Sequence, residues 1–163
     1  MKKLNKMEIF EVNPITNNQN KDYQLSIFLA GTIDMGSSRD WQQEFIQQLI
    51  KASQNVKEQT GTIAVFNPRR PPEYGPSNPN FDLREQIRWE LEHLEKANTI
   101  IMYIIGSSKS PVSLIELGLF ARSKKLTVIC EPDYYRYTNV EETCKFYNVD
   151  FYNDYNKFIE NFI

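Results

Sequence analysis

Histidine occurs once in the 163 residues, at His93, and cysteine twice, at Cys130 and Cys144. Such a set lacks the ligand spacing of a zinc site and cannot build a disulfide framework. Free thiols in a reducing compartment, the cytoplasm, are therefore the expectation. Long apolar runs are also missing. No stretch approaches the length of a membrane span, and MKKLNKMEIFEV lacks the apolar core of a signal peptide, so no membrane partner is expected. The net charge is only −2 at pH 7, which gives no reason to expect nucleic acid as a partner. Glycine is scarce, and neither G-x-x-x-x-G-K-[ST] nor G-x-G-x-x-G is present, so the common nucleotide fingerprints are absent. No internal repeat or splitting linker is visible.

What remains is enough for one full core: 40% of the residues are hydrophobic. Residues 1–22 read as a polar extension with at most one edge strand, and residues 23–163 as the domain. Apolar runs at LSIFLAG (25–31), TIAVF (62–66), TIIMYII (99–105), LTVIC (126–130) and VDFY (149–152) predict strands. Helical periods over 41–52, from Asp82 to about Ala97, over 111–121, from Thr138 or Asn139 to about Asn148 and over 154–162 alternate with them. This alternation implies an α/β, Rossmann-like (flavodoxin-like) three-layer sandwich with a parallel sheet of about five strands. Ligands in such sheets sit beyond the carboxyl ends of the strands, which here carry GTIDMGSSRD, the proline-rich NPRRPPEYGP and GSSKSP. On the helix from Asp82, Leu83, Ile87, Leu91 and Leu94 are the expected inner face, Glu90 lies on its border, and Trp89 and His93 fall on the far side.

The segment SPVSLIELGLFARSKKLTVIC (110–130) organises the rest. Ser110 reads as an N-cap, Pro111 suits the first helical position, and the helix is apolar nearly all round, the pattern of a buried helix. Glu116 sits in its middle. A carboxylate there needs a partner, an outlet to the surface or a ligand cleft. Glu116 and Glu90 form a carboxylate pair suited to glycosidic chemistry, one as nucleophile and one as proton donor, and are expected in one cleft within about 5 to 9 Å. Gly31, Gly36, Ser37 and Ser38 fit either an anion-binding turn or a plain glycine turn. Asp40 and Trp41 either cap the next helix or line the pocket. Arg69 and Arg70 are placed for an anionic substrate or for pairing with a glutamate. Tyr134, Tyr135 and Tyr137 fit either base stacking or packing.

In the order FLAGTI, NPRR, WELEHLEKANTIIMYI and SPVSLIELGLFA, the chain resembles the nucleoside 2-deoxyribosyltransferase superfamily, including relatives that hydrolyse deoxynucleoside monophosphates. The resemblance implies that Glu116, in its E-[LI]-G context, is the nucleophile and that Glu90 stands for the family's usual Asp. It places Gly31, Thr32, Ser37, Ser38, Arg39, Asp40, Trp41, Asn67, Arg69, Arg70, Ser110 and Ser113 around a small-molecule nucleoside or nucleotide, with no cofactor. Ser110 stands where transferases tend to carry an Asp and the monophosphate hydrolases a phosphate-binding Ser. With Ser37, Ser38 and Arg39 it tilts the expectation towards a phosphorylated substrate. Glu90 and Asn98 depart from the family's Asp residues, so an inactive nucleotide-binding or scaffold subunit is the alternative to a transferase or hydrolase. The resemblance also implies a homo-oligomer.

Overall fold

Among the described residues, 7–16, 20–55 and 60–163, the computed structural model forms six strands and five α-helices. In chain order they are β1 (Glu8–Val12), β2 (Leu25–Gly31), α1 (Trp41–Asn55), β3 (Thr62–Phe66), α2 (Leu83–Lys96), β4 (Thr99–Ile104), α3 (Pro111–Phe120), β5 (Leu126–Cys130), α4 (Tyr137–Tyr147), β6 (Asp150–Tyr152) and α5 (Tyr155–Phe162). The strands make one parallel sheet in the order β1-β3-β2-β4-β5-β6. Leaving β1 aside, this is the flavodoxin-like winding, and the expected α/β class holds. The sixth strand is β1, the edge strand read within the extension, which pairs with β3 from Glu8↔Thr62 to Val12↔Phe66. Residues 1–6 and 17–19 of the expected extension lie outside the described residues. No helix of the described residues is long and apolar enough to cross a membrane.

The chain divides into two compact units, 1–28 with 40–98 and Ile163, and 29–39 with 99–162. In the first unit, β2 and β3 align from Leu25↔Ile63 to Phe28↔Phe66. Asp82 caps α2 as expected, accepting from the N–H groups of Arg84 and Glu85 at 2.8 and 3.4 Å. The inner face of α2 differs from the expected one. Gln86, Trp89, His93 and Leu94 are buried, whereas Leu83, Ile87 and Leu91 are exposed. The aromatic residues explain the change: Trp89 stacks on His93 with centroids 4.0 Å apart, His93 meets Phe66 edge-on, and Trp89 packs against Phe28. That contact area outweighs the three aliphatic side chains a quarter-turn away.

Burial holds the His93 pKa below the ordinary histidine range, and its Nδ1 lies 2.7 Å from the Trp89 carbonyl. A depressed folded-state pKa means that the neutral ring is favoured by folding. Its stabilisation is complete above the unfolded-state pKa near about 6.5 and is lost as pH falls through the folded value. A series of thermal melts from pH 7.5 to 5 should therefore fall more steeply for the wild type than for His93→Phe. Parallel curves would show that His93 does not link folding to protons.

In the second unit β4, β5 and β6 align in parallel, with Ile100↔Leu126 and Val128↔Phe151 among the pairs. Ile100, Ile101, Met102 and Ile104 are fully buried, which is why this strand reads as a continuous apolar run. The helix α3 is not buried all round. Ser113, Glu116, Leu117 and Phe120 face inward, while Val112, Ile115 and Leu119 are exposed. Its apolar residues therefore form two faces, of which this fold covers one.

Candidate active site

Within the second unit, β2 ends in Gly31 at φ +116°, and a Cβ there would stand 2.1 Å from the Tyr103 carbonyl oxygen. The missing side chain lets the backbone lie against β4, where Thr32 N–H donates to the Tyr103 carbonyl at 2.9 Å. The next turn carries three consecutive left-handed residues, Asp34, Met35 and Gly36. Ser37 Oγ donates to the Asp34 carbonyl at 2.7 Å and Ser38 Oγ to the Ile33 carbonyl at 2.8 Å, so both hydroxyls brace the turn itself. Arg39 lies over the Tyr155 ring at 5.4 Å, and Tyr155 stacks on Tyr103. Gly31 and Gly36 thus meet backbone requirements of the turn.

The loop after β4 is held from several sides. Glu131 accepts from the Tyr103 hydroxyl and from Gly106 N–H, and Tyr134 donates to the Lys109 carbonyl at 2.6 Å. Ser110 stands at the N-cap position as expected, but not with the expected cap geometry. It is left-handed (φ 40°, ψ 51°), and its hydroxyl makes no cap bond. That hydroxyl sits instead 2.6 Å from Thr32 Oγ1 and 2.8 Å from Ser108 Oγ. Ser108 Oγ donates to Asp34 Oδ1 at 2.6 Å, which spends its hydrogen. Ser110 must then donate to Ser108, and Thr32 to Ser110, giving a one-way chain that ends on a carboxylate. Thr32 Oγ1 also accepts from Ile105 N–H at 3.0 Å. Pro111 opens the helix as expected. Ser113 and Glu116, one turn apart on its inner face, are 3% and 7% exposed.

The first unit assembles a second group. Asn67, at the end of β3, is buried; its Oδ1 accepts from Arg69 N–H at 3.0 Å and its Nδ2 donates to Glu11 at 2.9 Å. Asp40 caps α1 through Gln43 N–H at 3.1 Å, and Trp41 is fully buried core. Arg69 Nε lies 3.7 Å from Asp40, and its Nη1 donates to buried Gln42 at 3.4 Å. Arg70 Nε donates to Gln86 Oε1 at 2.6 Å, its Nη1 reaches the Tyr74 carbonyl, and its guanidinium lies over Phe81. Gln86 Nε2 in turn donates to the Pro68 carbonyl at 2.9 Å and to Glu90 Oε1 at 2.7 Å. Burial raises the Glu90 pKa, opposed by the Gln86 hydrogen bond and the Arg70 charge.

The expected residues therefore fall into two groups. Asp40, Trp41, Asn67, Arg69, Arg70 and Glu90 belong to the first unit, and Gly31, Thr32, Ser37, Ser38, Arg39, Ser110, Ser113 and Glu116 to the second. Asn98 keeps a structural role, its Oδ1 accepting from Ser26 N–H and Oγ at 2.8 and 2.9 Å, as an aspartate also would. Of the three tyrosines, Tyr134 is buried with its hydroxyl on the loop and Tyr137 bonds Glu141, while Tyr135 is exposed and edge-on to Tyr134. Sequence reading missed Glu11, Gln86, Ser108, Asp34 and Glu131. Gln86 carried a usable signal, standing one helical turn before Glu90.

Among curated proteins no match is found. The model of the family described as nucleoside 2-deoxyribosyltransferase like matches residues 24–134, which include the glutamate helix, the serine turn and the arginine loop. With more than half of its length so matched, the chain belongs to the nucleoside 2-deoxyribosyltransferase-like family.

Proposed function

We propose that this protein cleaves the N-glycosidic bond of a (deoxy)nucleoside or nucleoside monophosphate. A Glu116 oxygen attacks C1′ as the bond from C1′ to the base nitrogen breaks, and Glu90 gives its proton to the departing base. The resulting glycosyl ester is opened by a second base or by water, whose proton returns to Glu90. The observation that carries this reading is the position of Glu116, a carboxyl 7% exposed on the inner face of a short helix launched from a strand-end loop. The burial that raises the Glu90 pKa supports its part, because it favours the protonated form a proton donor needs. The exposed apolar residues Val112, Ile115 and Leu119 support a homo-oligomer.

Incubation with 2′-deoxynucleosides and their monophosphates, with and without an acceptor base, tests the proposal by chromatography of the bases. Exchange indicates a transferase, free base without exchange a hydrolase, and binding without release a non-enzymatic subunit. Glu90→Gln should lower turnover about 10²–10⁴-fold on ordinary bases and much less on substrates with good leaving groups. An equal loss on both would remove Glu90 from the proton-transfer step.

A further inference from the structure

Gln86 is an amide with every polar atom assigned. Its Oε1 accepts from Arg70 Nε at 2.6 Å, which fixes which end of the amide is nitrogen. The nitrogen then spends one hydrogen on the Pro68 carbonyl at 2.9 Å and the other on Glu90 Oε1 at 2.7 Å. The side chain is buried, so water competes little for these bonds. Among the described residues, Gln86 is the hydrogen-bond partner of the Glu90 carboxyl, which leaves Oε2 as the oxygen able to meet a departing base.

We propose that Gln86 is a positioning residue for the proton donor: clamped between Arg70 and Pro68, it holds one oxygen of Glu90, aims the other, and ties both to the NPRR loop. This rests on the reading of Glu90 as the acid. A donor on Oε1 favours the ionised carboxyl, so Gln86 also offsets the burial that favours the protonated one. Arg70 is the charged group bearing on Glu90 from the loop, and it acts in the same direction. Arg70 is thereby given a task within the protein, as the residue that orients the amide.

The test is a carbon-13 NMR titration of the Glu90 carboxyl in full-length protein, with the resonance assigned by its absence in Glu90→Gln. In Gln86→Met, of similar length but without an amide, the midpoint should move to higher pH. If that variant does not fold, Gln86→Asn, too short to reach both Pro68 and Glu90, should show the same upward shift. For a substrate found in the panel, kcat should fall about tenfold with KM within about twofold, and the basic limb of the pH–rate profile should move up. An unmoved midpoint in a folded variant, or a loss of activity carried by KM alone, would overturn the role of Gln86. A wild-type protein that cleaves nothing would overturn the reading of Glu90 as a catalytic acid, while the titration still decides whether Gln86 sets its protonation.

Discussion

Glu116→Ala should lower base release or base exchange by about 10⁴-fold or more while the protein stays folded. The covalent route needs a nucleophile at one place, and water admitted by the truncation is neither charged nor aligned on C1′. Glu116 is buried on the inner face of α3, together with Ser113, Leu117 and Phe120. A carboxyl kept at such a position adds less to stability than an apolar residue of similar volume would. The Ala variant should lose about 1–3 kcal/mol, the range for leaving one buried hydrogen-bonding partner unmet. Glu116→Gln, which keeps the volume, should be as inactive and closer to wild type in its melt. Activity within tenfold of wild type in either variant would remove Glu116 from the chemistry, and a collapsed fold in both would mark it as structural.

Gly31→Ala should destabilise the protein by about 4 kcal/mol or more, the scale reached by rare, severe backbone conflicts. Two penalties coincide there. The φ of +116° is one that a residue with a Cβ rarely adopts, and the added carbon would lie 2.1 Å from the Tyr103 oxygen and 2.7 Å from its nitrogen. Both contacts are backbone atoms of buried Tyr103, so no rotamer change relieves them. With a total stability of about 5–15 kcal/mol, the variant should be insoluble or melt on the order of 10 °C lower. A melting temperature within about 2 °C of wild type, a shift worth under about 1 kcal/mol in a chain of this length, would show that β2 and β4 can separate at this point without cost.

The strand–helix order was legible because buried parallel strands are written as unbroken apolar runs, and TIIMYI and LTVIC could hardly be anything else. Harder to read was which arc of a helix turns inward. On α2 two stripes compete, and the choice went to the one with Trp89 and His93, because the rings of Phe28 and Phe66 receive them. A one-dimensional period cannot register that match of shapes. On α3 the period was lost among apolar residues on every side, although only half of them are covered. Ser110 stands at the N-cap without capping through its hydroxyl, for a related reason. A serine before Pro-x-x is a good N-cap in isolation, but Thr32 and Ser108 offered its hydroxyl better partners from residues distant and near. Glu116 and Glu90 could be singled out from spacing, whereas Gln86, Glu11 and Glu131 act through contacts that span loops and strands.

The proposed covalent step on Glu116 can be trapped and seen by intact-protein mass spectrometry. The protein is mixed with each 2′-deoxynucleoside or monophosphate that the panel shows to lose its base, quenched in acid within seconds, weighed and digested. A covalent intermediate on Glu116 should appear as a mass increase of one deoxyribosyl (or deoxyribosyl phosphate) group on the peptide containing Glu116, absent in Glu116→Ala and discharged when an acceptor base is added before quenching. Base release at full rate with the adduct on another residue, or with the Glu116→Ala variant still turning over, would contradict it.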